Sequence, residues 1–218
     1  MISWTSITSL GSFSVMAPAA AAITMWLILG RAWRLVFWWC LLFIGGMTVV
    51  VATKIAFIGW GIGIRSLDFT GFSGHVMRAT SVAPVLLYLV LQKTPRYMRI
   101  TGVMFGLVFG MIIAISRLQV HAHSPSEAVS GWVLGVLVSL GFIWILNSSR
   151  KVELHPWFIA LSLLALLATP YAEPTPTQRW ITSAALSLSG HDRPYIRVTW
   201  KLAPAGWRPA NNNDELDP

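Results

Sequence analysis

Long apolar segments are the feature of this chain that most restricts its fold. An α-helix needs about 20 apolar residues to cross the hydrocarbon core of a bilayer. The segments lack the polar face, repeating every 3.6 residues, that helices of a soluble bundle would show. We therefore expect an all-α integral membrane protein built as a six-helix bundle. The six predicted spans cover residues 7–30, 35–59, 76–92, 100–118, 128–147 and 157–172.

Composition and the C-terminal end of the chain suggest the domain organisation. Hydrophobic residues make up 55% of the 218 residues and charged residues only 11%, which leaves too few polar groups to cover a soluble globule. The predicted bundle occupies residues 1–172, and residues 173–218 form a short extramembrane tail. In the tail we predict a helix over about residues 178–188, capped by Thr177 and stopped by Gly190, followed by a disordered end. The apolar residues of this helix share one face, so it can lie on the bilayer or cover the bundle.

The distribution of positive charge predicts the orientation in the membrane. The short loops after the first, third and fifth predicted spans hold seven basic residues against one acidic residue, Glu153. By the positive-inside rule these loops are cytoplasmic, and both termini then face outward. We expect a bacterial inner membrane, with the outward face in the periplasm. The net charge of +8 needs no nucleic-acid partner, because the basic residues are Arg31, Arg34, Lys93, Arg96, Arg99, Arg150 and Lys151 of these loops, together with residues at the outer face and in the tail.

Ionisable residues collect at the outward ends of the predicted spans. Such groups are costly in a membrane unless they are paired, solvated or used for function. The second span carries Lys54 near its outer end, Ser73-Gly74-His75 opens the third, and Arg117 closes the fourth. His121, His123 and Glu127 precede the fifth. Three separate stretches therefore bring polar side chains to one face of the bundle.

The stretch "FSGHVMRAT" predicts an anion site at the start of the third span. A helix that begins at Ser73 leaves unpaired amides in its first turn, and such a helix end binds phosphate well. Gly74 permits close approach of the backbone to a ligand. Lys54 and Arg117 would add fixed positive charge. The pattern indicates a phosphate pocket.

Two histidines could carry out phosphoryl transfer in this pocket. One histidine can attack phosphorus while the other protonates the leaving oxygen, and His123 is the better nucleophile because Glu127 follows four residues later and can orient its ring. "SPSE" is also a capping box, with Ser124 as N-cap and Glu127 at the third helical position. Glu127 can therefore have a structural role, a catalytic role, or both.

Together, Lys54, "SGH" and "SRLQVHAHSPSE" resemble the type 2 phosphatidic acid phosphatase superfamily, membrane enzymes that share their site with vanadium haloperoxidases. The resemblance covers about residues 54–140. It implies a six-helix bundle and a metal-free reaction through a phosphohistidine on His123, with His75 as the proton donor, and we assign no cofactor. The residues that match the family motifs are Lys54, Ser73, Gly74, His75, Arg117 and His123.

Two positions depart from the family pattern. Glu127 stands where the family usually has Asp, and Gly61-Ile62 stands where the first motif has Arg-Pro. One phosphate-binding arginine is thus missing from its expected place. Candidate replacements are Arg65, Arg78 and Arg193, each of which can equally be a solvated or lipid-headgroup contact. His121 has no family counterpart, and the second copy of the tripeptide, Ser189-Gly190-His191, is interpreted as structural.

The resemblance implies a membrane lipid phosphatase that hydrolyses a lipid phosphate or diphosphate at the periplasmic face. By family analogy the leading substrate is undecaprenyl diphosphate, with phosphatidate, phosphatidylglycerol phosphate and lipid A phosphates open. The alternatives are a lipid-to-lipid phosphotransferase, a noncatalytic lipid-phosphate-binding protein, and a transporter. Membrane lipids are the expected partners, and the sequence sets no oligomeric state.

Overall fold

The protein is described by a computed structural model over residues 3–149, 152–153, 156–168 and 177–202. Within these ranges the regular structure is helical, apart from one β-bridge between Ile64 and Phe69. This confirms the predicted all-α membrane fold class. A 3-10 turn covers Arg65–Leu67. The α-helices are α1 Trp4–Ser9, α2 Phe13–Leu29, α3 Trp33–Trp60, α4 Gly74–Val90, α5 Arg96–Gln119, α6 Pro125–Asn147, α7 Pro156–Ala168, α8 Thr177–Ser189 and α9 Arg197–Leu202.

Four helical segments of the described chain are long and apolar enough to cross a membrane. They are Trp4–Leu29, which combines α1 and α2, and the helices α3, α5 and α6. Helix α4 is apolar but has 17 residues, and α7 has 13. The chain is therefore a multi-pass membrane protein, whereas the count of six spans stays a prediction. Part of the predicted sixth span lies outside the described residues, as do Arg150, Lys151 and the end of the tail for which disorder was predicted.

The short helix α4 lies at the centre of the bundle and packs against α2, α3, α5 and α6. Glycines on α5 and α6 permit this packing, because small residues let membrane helices approach closely. A Cβ atom on Gly110 would lie 2.2 Å from Thr80 Oγ1, and one on Gly106 would lie 2.4 Å from Pro84 N. Gly135 of α6 meets Thr80 from the other side, at 2.6 Å from its Cβ. The middle of α4 is thereby held closely between α5 and α6.

The tail helix α8 packs along the C-terminal end of α3. Ala185 of α8 is fully buried, and a Cβ atom on Gly59 would lie 3.1 Å from the Ala185 carbonyl oxygen. The helix predicted over about 178–188 is observed at Thr177–Ser189, and Gly190 follows it with φ +70°. The sequence left open whether this helix lies on the bilayer or covers the bundle. In the structure, α8 covers the bundle.

The segment after α8 continues across the same end of α3. The Tyr195 amide donates to the Ile58 carbonyl oxygen at 2.9 Å. Trp200 of α9 packs edge-on against Phe57, with ring centroids 5.2 Å apart. The tail therefore covers the end of the bundle at which the sequence places the candidate site.

Candidate active site

The turn between α5 and α6 positions His123 against a buried carboxylate. Glu127 Oε2 accepts from the Ser124 amide at 3.2 Å, and Ser124 Oγ accepts from the Glu127 amide at 3.4 Å, which forms the predicted capping box. The same Oε2 lies 2.7 Å from His123 Nδ1. Glu127 therefore caps the helix and holds the histidine ring at once. The ring nitrogen left over from this contact is Nε2.

The second oxygen of Glu127 is held as firmly as the first. Its Oε1 accepts from the Thr70 amide at 2.8 Å and from the Thr70 hydroxyl. The Arg197 guanidinium reaches the same oxygen, with Nη2 at 2.5 Å. The Glu127 side chain is 1% exposed, so these partners replace water. A carboxylate fixed in this way fixes the ring that it holds.

The N-terminus of α4 supports the site through its backbone. Ser73 is the N-cap residue, and its amide donates to the Glu127 carbonyl oxygen at 3.1 Å. The amides of Gly74 and His75 belong to the first turn, which precedes the first intrahelical hydrogen bond. The Ser73 hydroxyl is buried without a hydrogen-bond partner, and Ser73 lies against Gly131 of α6 and does not line the cavity. Ser73 can therefore contribute to phosphate binding only through the helix end that it caps.

A cavity of about 680 Å³ is lined by His75, His123 and Arg197, among other residues. Part of its lining, the polar wall, carries ionisable side chains, and another part, the apolar wall, includes Met47, Val50 and Val51 of α3 together with Trp180 and Ile181 of α8. The cavity can therefore hold a ligand with a charged end and an apolar end. The ionisable residues of its polar wall are Lys54, His75, Arg78, Arg117, His123 and Arg197.

Two arginines of the polar wall, the buried Arg78 and the half-buried Arg117, have guanidinium donors without a partner. Arg78 is 6% exposed, its Nη2 donates to the Gly11 carbonyl oxygen at a long 3.5 Å, and its Nε has no partner. Arg117 donates to Thr8 Oγ1 at 3.4 Å, and its Nε is also buried without a partner. Over the described residues, the salt bridges include none to Lys54, Arg78 or Arg117. Three cations without a carboxylate partner are therefore available to pair with an anionic ligand.

Burial determines the protonation of His123. Loss of solvent lowers the pKa of His123, while its hydrogen bond to Glu127 opposes this by raising the pKa. The net direction is downward, so the ring is neutral near pH 7. A neutral ring has the lone pair that a nucleophile needs.

Of the three candidate replacement arginines, Arg78 lines the cavity. The Arg65 guanidinium lies over the Trp200 ring, 5.3 Å from its centroid, and neither Arg65 nor Arg193 lines the cavity. His121 is exposed, with φ +53°, and it also lies off the cavity wall. Arg197 also belongs to the polar wall, and the sequence did not single it out as a site residue. The only signal for it in the sequence was its position in a tail predicted to lie on the same side of the membrane as the site.

The second Ser-Gly-His copy lies outside the cavity lining. His191 Nδ1 is 2.7 Å from the Gly59 carbonyl oxygen, a contact that holds the tail on α3.

Across the described part of the chain, no cluster of three or more His, Cys, Asp or Glu side chains could hold a metal ion.

The site is an oriented histidine that shares a cavity with cations lacking a carboxylate partner, in a membrane helix bundle. The family model of the PAP2 superfamily matches residues 62–151. A Klebsiella pneumoniae protein described as "Uncharacterized 22.5 kDa protein in cps region" is 35% identical over 204 residues, which covers 90% of this chain and 97% of that protein. No solved structure gives a significant match. The chain belongs to the PAP2 superfamily, whose members are phosphatases.

Proposed function

We propose that this protein hydrolyses a lipid phosphate or diphosphate through a phosphohistidine intermediate. The observation that carries the proposal is His123, oriented by Glu127 at 2.7 Å, in one cavity with Lys54, Arg78 and Arg117. The apolar wall of the same cavity supports a lipid substrate, since a chain attached to the phosphate needs an apolar path beside the charged site.

In the proposed first step, His123 Nε2 attacks phosphorus and the bond from phosphorus to the leaving oxygen breaks. His75 gives its proton to that oxygen, so that an alcohol or a lipid monophosphate departs. In the second step His75 takes a proton from water, whose oxygen attacks the phosphohistidine. Inorganic phosphate leaves, and His123 and protonated His75 are restored. Because His75 lies among cations, its protonated state relies on the negative charge of the bound substrate.

The cations of the polar wall stabilise the charge on the equatorial oxygens, which is the main electrostatic task in phosphoryl transfer. Lys54 and Arg117 do so from α3 and α5, and the first-turn amides of Gly74 and His75 add backbone donors. Arg78 supplies the planar fork that the absent Arg-Pro motif would have supplied. It follows His75 by almost one helical turn, so the same helix end orients the proton donor and this arginine.

The charge pattern supports a site on the periplasmic face of a bacterial inner membrane. Basic residues at the other end of the spans, such as Arg34 and Arg99 in the first turns of α3 and α5, favour the cytoplasmic side. Undecaprenyl diphosphate is the leading substrate by family analogy. Phosphatidate, phosphatidylglycerol phosphate and lipid A phosphates share its chemistry, a phosphate on an apolar anchor.

The test is phosphate release from this panel of four lipid phosphates by the purified full chain. We expect wild type to release phosphate and His123→Ala to lose at least about 10³-fold, because the nucleophile is absent. His121→Asn is the matched control, since His121 is exposed and Asn tolerates a positive φ. Transfer of phosphate to a second lipid without free phosphate would support a phosphotransferase. Binding without release of phosphate would contradict the proposal.

A further inference from the structure

Arg197 joins the C-terminal tail to the carboxylate that orients His123. Its Nη2 lies 2.5 Å from Glu127 Oε1 and donates to Thr70 Oγ1 at 3.1 Å. Its Nε lies 3.9 Å from Asp68 Oδ1. Arg197 is not among the residues that match the family motifs, and it lies outside the stretch that the family model matches, residues 62–151. The tail therefore brings an additional residue to the site.

The contact affects the nucleophile through Glu127. Glu127 uses Oε2 for His123 and Oε1 for Arg197 and Thr70, so the two halves of the carboxylate are held from opposite directions. A buried carboxylate that loses its cationic partner is left with an uncompensated charge. It would then turn toward other donors, and the His123 ring would follow it. Arg197 thus fixes the direction of Nε2 without touching the reacting atoms.

The surrounding contacts hold Arg197 in this place. Lys201 Nζ lies 2.9 Å from Asp68 Oδ2, so Asp68 faces two cations of α9. Trp200 lies between them in the sequence and is buried against Phe57 and Gly63. Helix α9 is therefore clamped onto the loop between α3 and α4, the loop that also supplies Thr70 to Glu127.

We propose that Arg197 is a positioning residue for the His123–Glu127 pair and that the active site is complete only when the tail is docked. The readout rests on the proposed phosphatase activity. The mechanism predicts a loss in kcat, because substrate contacts with Lys54, Arg78 and Arg117 remain, while the attacking nitrogen loses its fixed direction.

The test compares Arg197→Ala, Arg197→Lys and the tail control Arg179→Ala in the full chain, with phosphate release from a lipid phosphate, thermal unfolding and added methylguanidine. Arg179 is exposed on α8 and does not line the cavity. We expect Arg197→Ala to lower kcat by about 10- to 100-fold with KM within about threefold, methylguanidine to restore part of the loss, and Arg197→Lys to fall between. Arg179→Ala should match wild type.

An unchanged kcat per folded protein in Arg197→Ala, or a loss confined to KM, would overturn the inference. If Arg197→Ala does not fold, Arg197→Lys decides by the same kcat criterion, because it keeps the charge and loses the planar fork. Failure of the proposed function looks different. In that case wild type releases no phosphate, whereas failure of this inference leaves wild type active, His123→Ala inactive and the Arg197 variants as active as wild type.

Discussion

The two Ser-Gly-His copies occupy opposite kinds of helix end. Residues 73–75 open α4, where Gly74 and His75 line the cavity. Residues 189–191 close α8, where Gly190 takes φ +70° and the helix stops. A helix N-terminus presents donors to an anion, and a C-terminus presents carbonyl oxygens. The comparison teaches that the tripeptide is suited to phosphate chemistry only where the helix begins.

The second copy nevertheless contributes to the same end of the molecule. His191 Nδ1 meets the Gly59 carbonyl oxygen at 2.7 Å, and its ring lies edge-on to Tyr195, with centroids 6.1 Å apart. Both contacts hold the segment that leads to Arg197. The first copy therefore belongs to the proposed chemistry, and the second anchors the tail beside it.

The largest expected difference between the two Ser-Gly-His copies is in how much phosphate release falls when their histidines are replaced. His75→Ala should lower phosphate release by about 10²- to 10⁴-fold, because the proton donor is lost. His191→Ala should stay within about tenfold of wild type, since it loosens only an anchor of the positioning segment. Steady-state phosphate release from one lipid phosphate measures both. Equal losses in the two variants would break the comparison.

The next difference concerns the arginines that follow each copy. Arg78→Ala should cost about 10²- to 10³-fold in kcat, as expected for loss of a buried donor to a transition-state oxyanion. Arg193→Ala should change kcat by no more than about twofold, because Arg193 does not line the cavity. A larger loss in Arg193→Ala than in Arg78→Ala would move the replacement arginine into the tail. Initial rates at saturating lipid phosphate distinguish the two results.

Alanine substitutions at the glycines of the two copies should affect different properties, activity at Gly74 and stability at Gly190. A Cβ atom on Gly74 would lie 3.1 Å from Arg78 Nη1 and 3.3 Å from Val50 Cγ1, so Gly74→Ala should shift the arginine and lower kcat several-fold, below the roughly 100-fold cost of a 1 Å misplacement. Gly190→Ala meets open space but adopts a left-handed φ, and it should destabilise the docked tail by about 1 kcal/mol. Rate measurements and thermal unfolding of both variants test this. The reverse pattern would contradict it.

The smallest expected effect is on pH dependence. His123 must be neutral to attack, and burial lowers its pKa, so kcat/KM should fall as pH drops through a value below the usual 6.5. Glu127→Gln removes the carboxylate that accepts the His123 Nδ1 hydrogen bond and raises this pKa, so the acid limb of the pH profile should move to lower pH. His191→Ala should leave the acid side of the pH dependence of kcat/KM unchanged. A limb that moves to higher pH in Glu127→Gln would contradict this assignment.

Local patterns were sufficient to predict the membrane fold class and the His123–Glu127 contact. Apolar length reports directly on the bilayer, and an i, i+4 spacing with a capping box fixes neighbours within one turn. The tail helix was also predicted, because caps and stops are local signals. Each of these predictions depended on residues close together in the chain.

The role of the tail at the site had no such signal. Arg197 reaches Glu127 only because α8 packs at Gly59 and Trp200 packs at Phe57, contacts between distant parts of the chain. For the same reason sequence reasoning could not choose among Arg65, Arg78 and Arg193. The position of Ser73 as N-cap of α4 was a local signal and is observed, whereas the packing of Ser73 against Gly131 of α6 was not predictable from the sequence.

The most direct test of the central claim is to trap the phosphoenzyme. Wild type and His123→Ala are mixed with a lipid phosphate that carries ³²P, quenched in alkali, and the protein-bound label is counted before and after acid treatment. The account predicts an alkali-stable, acid-labile label on wild type and none on His123→Ala. Phosphate release by wild type with no such label, or a label that persists in His123→Ala, would contradict it.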